Sequence, residues 1–558
     1  MTSDPQLDTV LPGVDATHLP RLATSRRTRG APTFLSADDA VALVRPGDTL
    51  AIGGSGGGLL EPNLLLSGLG ERYRRDGDPA GLTLIHTTGI GDRVGGGMDH
   101  FAQPGLVRRV IAGNWGMAPR MSEMAAAGDF EAYNFPQGVM SQLFREIAGG
   151  RPGLVTHVGL GTFCDPRLEG GRLNSNTTEE IVQLVELSGR TWLFYPSFPI
   201  DECFIRGTTA DENGNISLEQ EGARLEMLAI AQATRNCGGI VIAQVKQVAA
   251  AGSLDPRQVV IPGFCVDAVV VNAEQKQLVT HDYNPAFSGE LKAALSTLPP
   301  FPLDQRKVVA RRALREIVTG DVVNLGVGIA DGVAAVAAEE GWIDDFTLTI
   351  EQGLVGGVPA RGVIFGVATN PVAVLDQPAQ FDYYDGGGLD VAFLGFAQIG
   401  REGNVNVSKF GNRIIGTGGF INISQNAKTV VFCGTFTAGG LLARTGDGAL
   451  HLEVEGKHQK FVDSVDQVTF SAAEALRRGQ HILYVTERAV FELAEYGLKL
   501  IELAPGVDLH RDVLNQLPGP VTVAEDLTLM DPAIFHDELL GRKWRTTPPA
   551  IAMYEGAA

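Results

Sequence analysis

Thr347-Leu348-Thr349-Ile350-Glu351-Gln352-Gly353 sets four β-favouring residues before an acid and a glycine. Thr83-Leu84-Ile85-His86-Thr87-Thr88-Gly89 has the same shape. Upstream of the first stands Val318-Thr319-Gly320-Asp321-Val322-Val323-Asn324-Leu325-Gly326-Val327-Gly328. Upstream of the second stands Arg45-Pro46-Gly47-Asp48-Thr49-Leu50-Ala51-Ile52-Gly53-Gly54. A helical pattern precedes each of these upstream stretches and an apolar helix follows it. Matches in this order read as an internal duplication of a strand–helix–strand unit. One position separates the copies: Glu351 stands where the earlier copy has Thr87.

Outward from these units, strands are expected over 107–111, 154–158 and 239–245. Helices are expected over 59–75 and 305–319, the second of them basic and amphipathic. The alternation predicts an α/β fold with open, mostly parallel sheets covered by helices. With 558 residues the chain is too long for one core. Leu298-Pro299-Pro300-Phe301-Pro302 reads as a joint between domains. The expected division is a mobile arm at 1–32, one domain at 33–297 and a related one at 303–545.

Composition narrows the function. The formal charge is −20, which disfavours nucleic acid and anionic membrane as partners. The 70 glycines cluster at the ends of apolar runs, where backbone must turn or approach a ligand closely. Five widely spaced cysteines, an odd number, argue against a disulfide framework and a structural zinc site. A reducing cytoplasm is the expected location. No apolar run reaches the length of a membrane span, and the first 32 residues lack the apolar core of a secretory signal.

Glu351 falls at the end of an apolar strand, where parallel sheets bind ligands. A carboxylate there can act as a covalent nucleophile, and in its ionised form it needs no general base. The alternative is an exposed glutamate capping a turn. The ten histidines fall singly, without a catalytic or metal pair. Gly53-Gly54-Ser55-Gly56-Gly57 fits the serine-hydrolase pattern G-x-S-x-G, but precedes the strands that should lead to such a turn. Gly326-Val327-Gly328 begins a dinucleotide fingerprint that fails at Asp331.

The segment from Thr349 to Ala360, Thr-Ile-Glu-Gln-Gly-Leu-Val-Gly-Gly-Val-Pro-Ala, resembles the active-site signature of family I CoA-transferases. Tyr133-Asn134-Phe135-Pro136-Gln137-Gly138 and Thr156-His157-Val158-Gly159-Leu160-Gly161-Thr162-Phe163 resemble the acetate and propionate branch. So do Tyr384-Asp385-Gly386-Gly387-Gly388, Gly403-Asn404-Val405-Asn406-Val407-Ser408 and Gly418-Gly419-Phe420-Ile421-Asn422. The likeness runs from about Thr33 to about Met530. Gln352 stands where many relatives have Ser or Ala.

The resemblance implies two related domains packed around a shared active site. It implies ping-pong transfer of coenzyme A from an acyl-CoA to a small carboxylic acid such as acetate or propionate. Glu351 would pass through a mixed anhydride and a glutamyl-CoA thioester. Oxyanion donors would be the Val327 backbone and Asn404, with Asn406 as its rival. Gln137 would bind substrate, and Gly418 and Gly419 would line the path of coenzyme A. Lys409, Arg413 and Lys428 are candidates for its phosphates. Neither a metal nor a tightly bound cofactor is expected, and a homo-oligomer, a tetramer, is implied. An acyl-CoA hydrolase and a non-catalytic acyl-CoA-binding protein stay open. Glu487-Arg488 reads as a surface ion pair.

Overall fold

The computed structural model describes residues 31–294, 301–326, 328–330 and 332–541. Most of the expected arm and joint, with Val327 and Asp331, lies outside the described residues.

The first half folds around an eight-stranded sheet in which every neighbouring pair is parallel. Its spatial order is Thr33–Leu35, Ala268–Val271, Ile240–Val245, Glu202–Arg206, Thr49–Ile52, Leu82–His86, Val107–Ala112, Glu131–Asn134. Side chains of these strands alternate between two apolar layers. Leu50, Ile52 and Leu84 enter one, and Ala51 and Ile85 the other.

The second half holds a ten-stranded sheet whose centre is parallel. The central order is Thr347–Ile350, Val322–Leu325, Val391–Gly395, Thr429–Cys433, His481–Val485. Antiparallel strands continue it on both sides. Numbered along the chain, this centre runs 2-1-3-4-5, and so does the first sheet from Leu82–His86 to Ala268–Val271. The registers Thr49↔Thr83 and Val322↔Thr347 place Thr87 and Glu351 at equivalent strand ends. The duplication is therefore real at the level of topology.

Two expected helices are shorter than the sequence pattern suggests. The helix expected over 59–75 is Asn63–Asp76, and residues 59–62 form the turn before it. The helix expected over 305–319 as basic and amphipathic is Gln305–Leu314, and most of its basic residues are turned inward. Lys307, Arg311 and Arg312 are buried in it. Arg312 meets Glu502 and Glu316 at 2.7 Å, and Arg311 donates to the carbonyls of Ile534, His536 and Glu538.

Glu487-Arg488 is likewise not at the surface, since both side chains are fully enclosed. Arg488 Nε donates to Glu487 at 2.7 Å, its other nitrogens reach Glu455 and the Asp512 carbonyl, and its guanidinium lies over Phe436. Charges removed from water persist only where each donor finds an acceptor, as here.

The halves are sewn together around the helix Gln137–Ala148, which packs against the helices Gln377–Asp385 and Phe420–Asn426. The first N–H groups of a helix lack intrahelical partners. Here the second half supplies them: Gln137 N donates to the Gly418 carbonyl at 2.9 Å and Gly138 N to Asn422 Oδ1 at 3.0 Å.

Candidate active site

Parallel strands from both sheets end at one cavity of about 870 Å³. Ser55 and Gly56 follow Thr49–Ile52, Thr88 and Gly89 follow Leu82–His86, and Asn114 follows Val107–Ala112. Gln137 follows Glu131–Asn134. From the other half come Gly326 after Val322–Leu325, Glu351 after Thr347–Ile350, and Phe396 after Val391–Gly395. Carboxyl ends of parallel strands are where an open α/β sheet leaves a crevice. The two sheets turn that edge toward each other.

Glu351 is 9% exposed and its Oε2 accepts no hydrogen bond. Burial pushes its carboxyl up to about 7, opposed by its own backbone N–H and the amides of Gln352 and Asn324. The turn that presents it depends on Gly353, whose φ of +103° is left-handed. A Cβ at Gly353 would stand 2.2 Å from the Leu375 carbonyl oxygen. Gly419 lies beside the acid: a Cβ there would come within 3.4 Å of Glu351 Cγ and 3.3 Å of Phe381 and Ile423. Gly418 has φ +53° and gives its N–H to the Gly113 carbonyl at 2.7 Å.

The structure thus brings Glu351, Gln137, Gly418 and Gly419 to one cavity. Gln137 is buried and its Nε2 has no hydrogen-bond partner. Asn404 is elsewhere. Its Oδ1 accepts from Ala472 N at 2.9 Å and its Nδ2 donates to Glu402 at 3.1 Å, so it takes the first N–H of the helix Ala472–Arg478, whose N-cap is Ser471. Asn406 is buried against Gln398 and the Lys409 carbonyl, both at 2.7 Å. Neither asparagine lines the cavity. Of the three expected cations Arg413 does, while Lys409 donates to the Leu173 carbonyl and Lys428 pairs with Asp390.

Sequence reasoning missed Arg93, Asn114 and Met117, all of which line the cavity. Gly113-Asn114-Trp115-Gly116 repeats the strand-then-glycine pattern that flagged Glu351, and it was the available signal. Arg93 gives no such signal: it holds φ +69° in the loop after Thr88-Gly89. Ser55 also lines the cavity, but among the described residues no histidine bonds to it.

The coenzyme A transferase family model matches residues 34–272. Acetate CoA-transferase YdiF of Escherichia coli K12 is 46% identical over 516 residues, spanning 92% of this chain and 97% of the relative. Caffeate CoA-transferase of Acetobacterium woodii is 45% identical over 514 residues, 90% of this chain and 98% of the relative. The acyl-CoA transferase YdiF of E. coli O157:H7 superposes as apoenzyme with a TM-score of 0.90 at 44% identity, over 94% of this chain and 100% of that one. Its thioester complex with CoA superposes with a TM-score of 0.89 over the same shares. With nearly the full length of these relatives matched and both sheets in one polypeptide, this chain belongs to the coenzyme A transferase family and is a CoA-transferase.

Proposed function

We propose that the enzyme moves coenzyme A between short-chain carboxylic acids through a covalent thioester on Glu351. The observation that carries this is a buried strand-end carboxylate with an unpartnered oxygen in a cavity shared by both halves. The name of the acetate relative and the thioester complex of the E. coli enzyme support it.

In the proposed cycle the Glu351 carboxylate attacks the thioester carbonyl of the donor, and CoA thiolate leaves. The thiolate then attacks the glutamyl carbonyl of the anhydride, releasing the first acid and leaving glutamyl-CoA. The acceptor carboxylate reverses both steps, so no high-energy bond is lost. Each tetrahedral intermediate carries an oxyanion that needs a placed donor, and the free amide of Gln137 is our candidate. Gly418 and Gly419 leave room for the pantetheine arm, and Arg93 and Arg413 are cations for its phosphates.

We place the two catalytic domains at 33–297 and 303–545, in a homo-tetramer of the cytoplasm that serves short-chain fatty acid and ketone-body metabolism. Five free cysteines favour the reducing compartment.

The test is incubation with acetyl-CoA without acceptor, followed by peptide mapping by mass spectrometry. A CoA-sized adduct on the peptide holding Glu351 is expected, and adding propionate should discharge it. An unmodified Glu351 alongside active transfer would refute the nucleophile. Steady release of CoA without acceptor would mark a hydrolase instead.

A further inference from the structure

We propose that a second cavity, lined by His157, Arg167, Arg190, Trp192, Arg477 and Arg478, binds a small anion of the phosphate class. It measures about 660 Å³ and shares no lining residue with the active cavity. Three segments build it: the loop after Gly153–Thr156, the hairpin of Gln183–Leu187 and Arg190–Pro196, and the helix Ala472–Arg478. Four arginines meet there in a chain of net charge −20, and Glu474 is the one carboxylate in the lining.

The charges in this cavity are not balanced from within. Arg167 is answered by Asp165, at 2.9 and 2.5 Å. Glu474 must serve both Arg477, at 2.5 Å, and Arg478, at 3.8 Å. Arg190 is exposed and its side chain makes no ion pair or hydrogen bond among the described residues. Arg478 is mostly enclosed, and its Nε is buried without a hydrogen-bond partner. Its other contacts are the Gln425 carbonyl at 3.1 Å and Asn426 Oδ1 at 3.2 Å, neither of them charged.

Four guanidinium groups around one lining carboxylate repel one another, and an anion among them relieves that repulsion. Burial and the neighbouring Arg478 also drive His157 below its ordinary range. Forked guanidinium groups converging from several directions fit the oxygens of phosphate.

The test is calorimetric titration of the free full-length enzyme, in which binding lost with substitution at Arg190 or Arg477 reports the second cavity and binding kept reports the active one. Pyrophosphate and ADP are injected in separate arms. Saturable binding to one site is expected, weakened at least tenfold by Arg190→Glu and by Arg477→Glu, with melting temperatures measured alongside. Tighter binding of ADP would assign the site to a nucleotide, and equal binding to the inorganic anion. No saturable heat from either probe, or equal affinity in both folded variants, would overturn the proposal.

Discussion

Glu351 is a carboxylate that the fold makes hard to ionise, and its proposed chemistry needs the ion. With its carboxyl at about 7, kcat/KM for acyl-CoA should fall about tenfold per pH unit below that value. A flat profile from pH 5 to 8 would contradict this. The same shift is a stability effect. A pKa raised from 4.5 to about 7 favours the folded state below 4.5, and that advantage is lost as pH rises through 7. Glu351→Gln should therefore melt near the wild type at pH 4.5. At pH 8 it should be more stable, by at most about 3 kcal/mol, as thermal unfolding at the two pH values will show. That Glu351 ends a strand at the cavity was legible because an apolar run precedes it and a glycine follows closely in sequence. Asn404 was misread because motif position cannot say which way a side chain turns. Its partner, the N–H of Ala472, lies 68 residues downstream.

At the scale of elements, the helix Gln137–Ala148 carries Gln137 into the cavity, and its N-terminus is completed across the seam by Asn422. Asn422 is itself fixed by Asp385, which takes both its oxygens' bonds from amide donors of Asn422, Gln142 and Asn426. Asn422→Ala should lower kcat/KM at least tenfold through misplacement of Gln137. Loss of that bond should cost roughly 1–2 kcal/mol of stability. Steady-state kinetics beside thermal melts will check both, and unchanged kinetics would remove the seam from catalysis. The strands beside these helices were readable because apolar runs and glycine punctuation are local signals. For Gln305–Leu314 the helix was readable and its burial was not: its arginines look like surface charge until Glu502, 190 residues away, is seen to meet Arg312.

Across the whole molecule, two copies of one strand order divide the work between them. The ring of buried charge around Arg488 lies outside the active cavity. Glu487→Ala should cost roughly 1–3 kcal/mol by leaving Arg488 Nε and the Phe436 N–H without acceptors, while Glu455 still holds the guanidinium. That corresponds to roughly 2–12 °C in Tm, with KM unchanged below the melt; an unaltered Tm would argue against the ion pair. Chains divided between residues 294 and 301 should each be inactive and should recover transfer on mixing, which gel filtration and assay can follow. The seam has one more consequence, in time. A ribosome makes Gly138 284 residues before the Asn422 that receives its N–H. At elongation rates of about 5–20 residues per second the interval is roughly 15–60 s. For that period the nascent first half carries its glutamine on a helix whose end is unfinished, so an interrupted translation product is silent rather than half active.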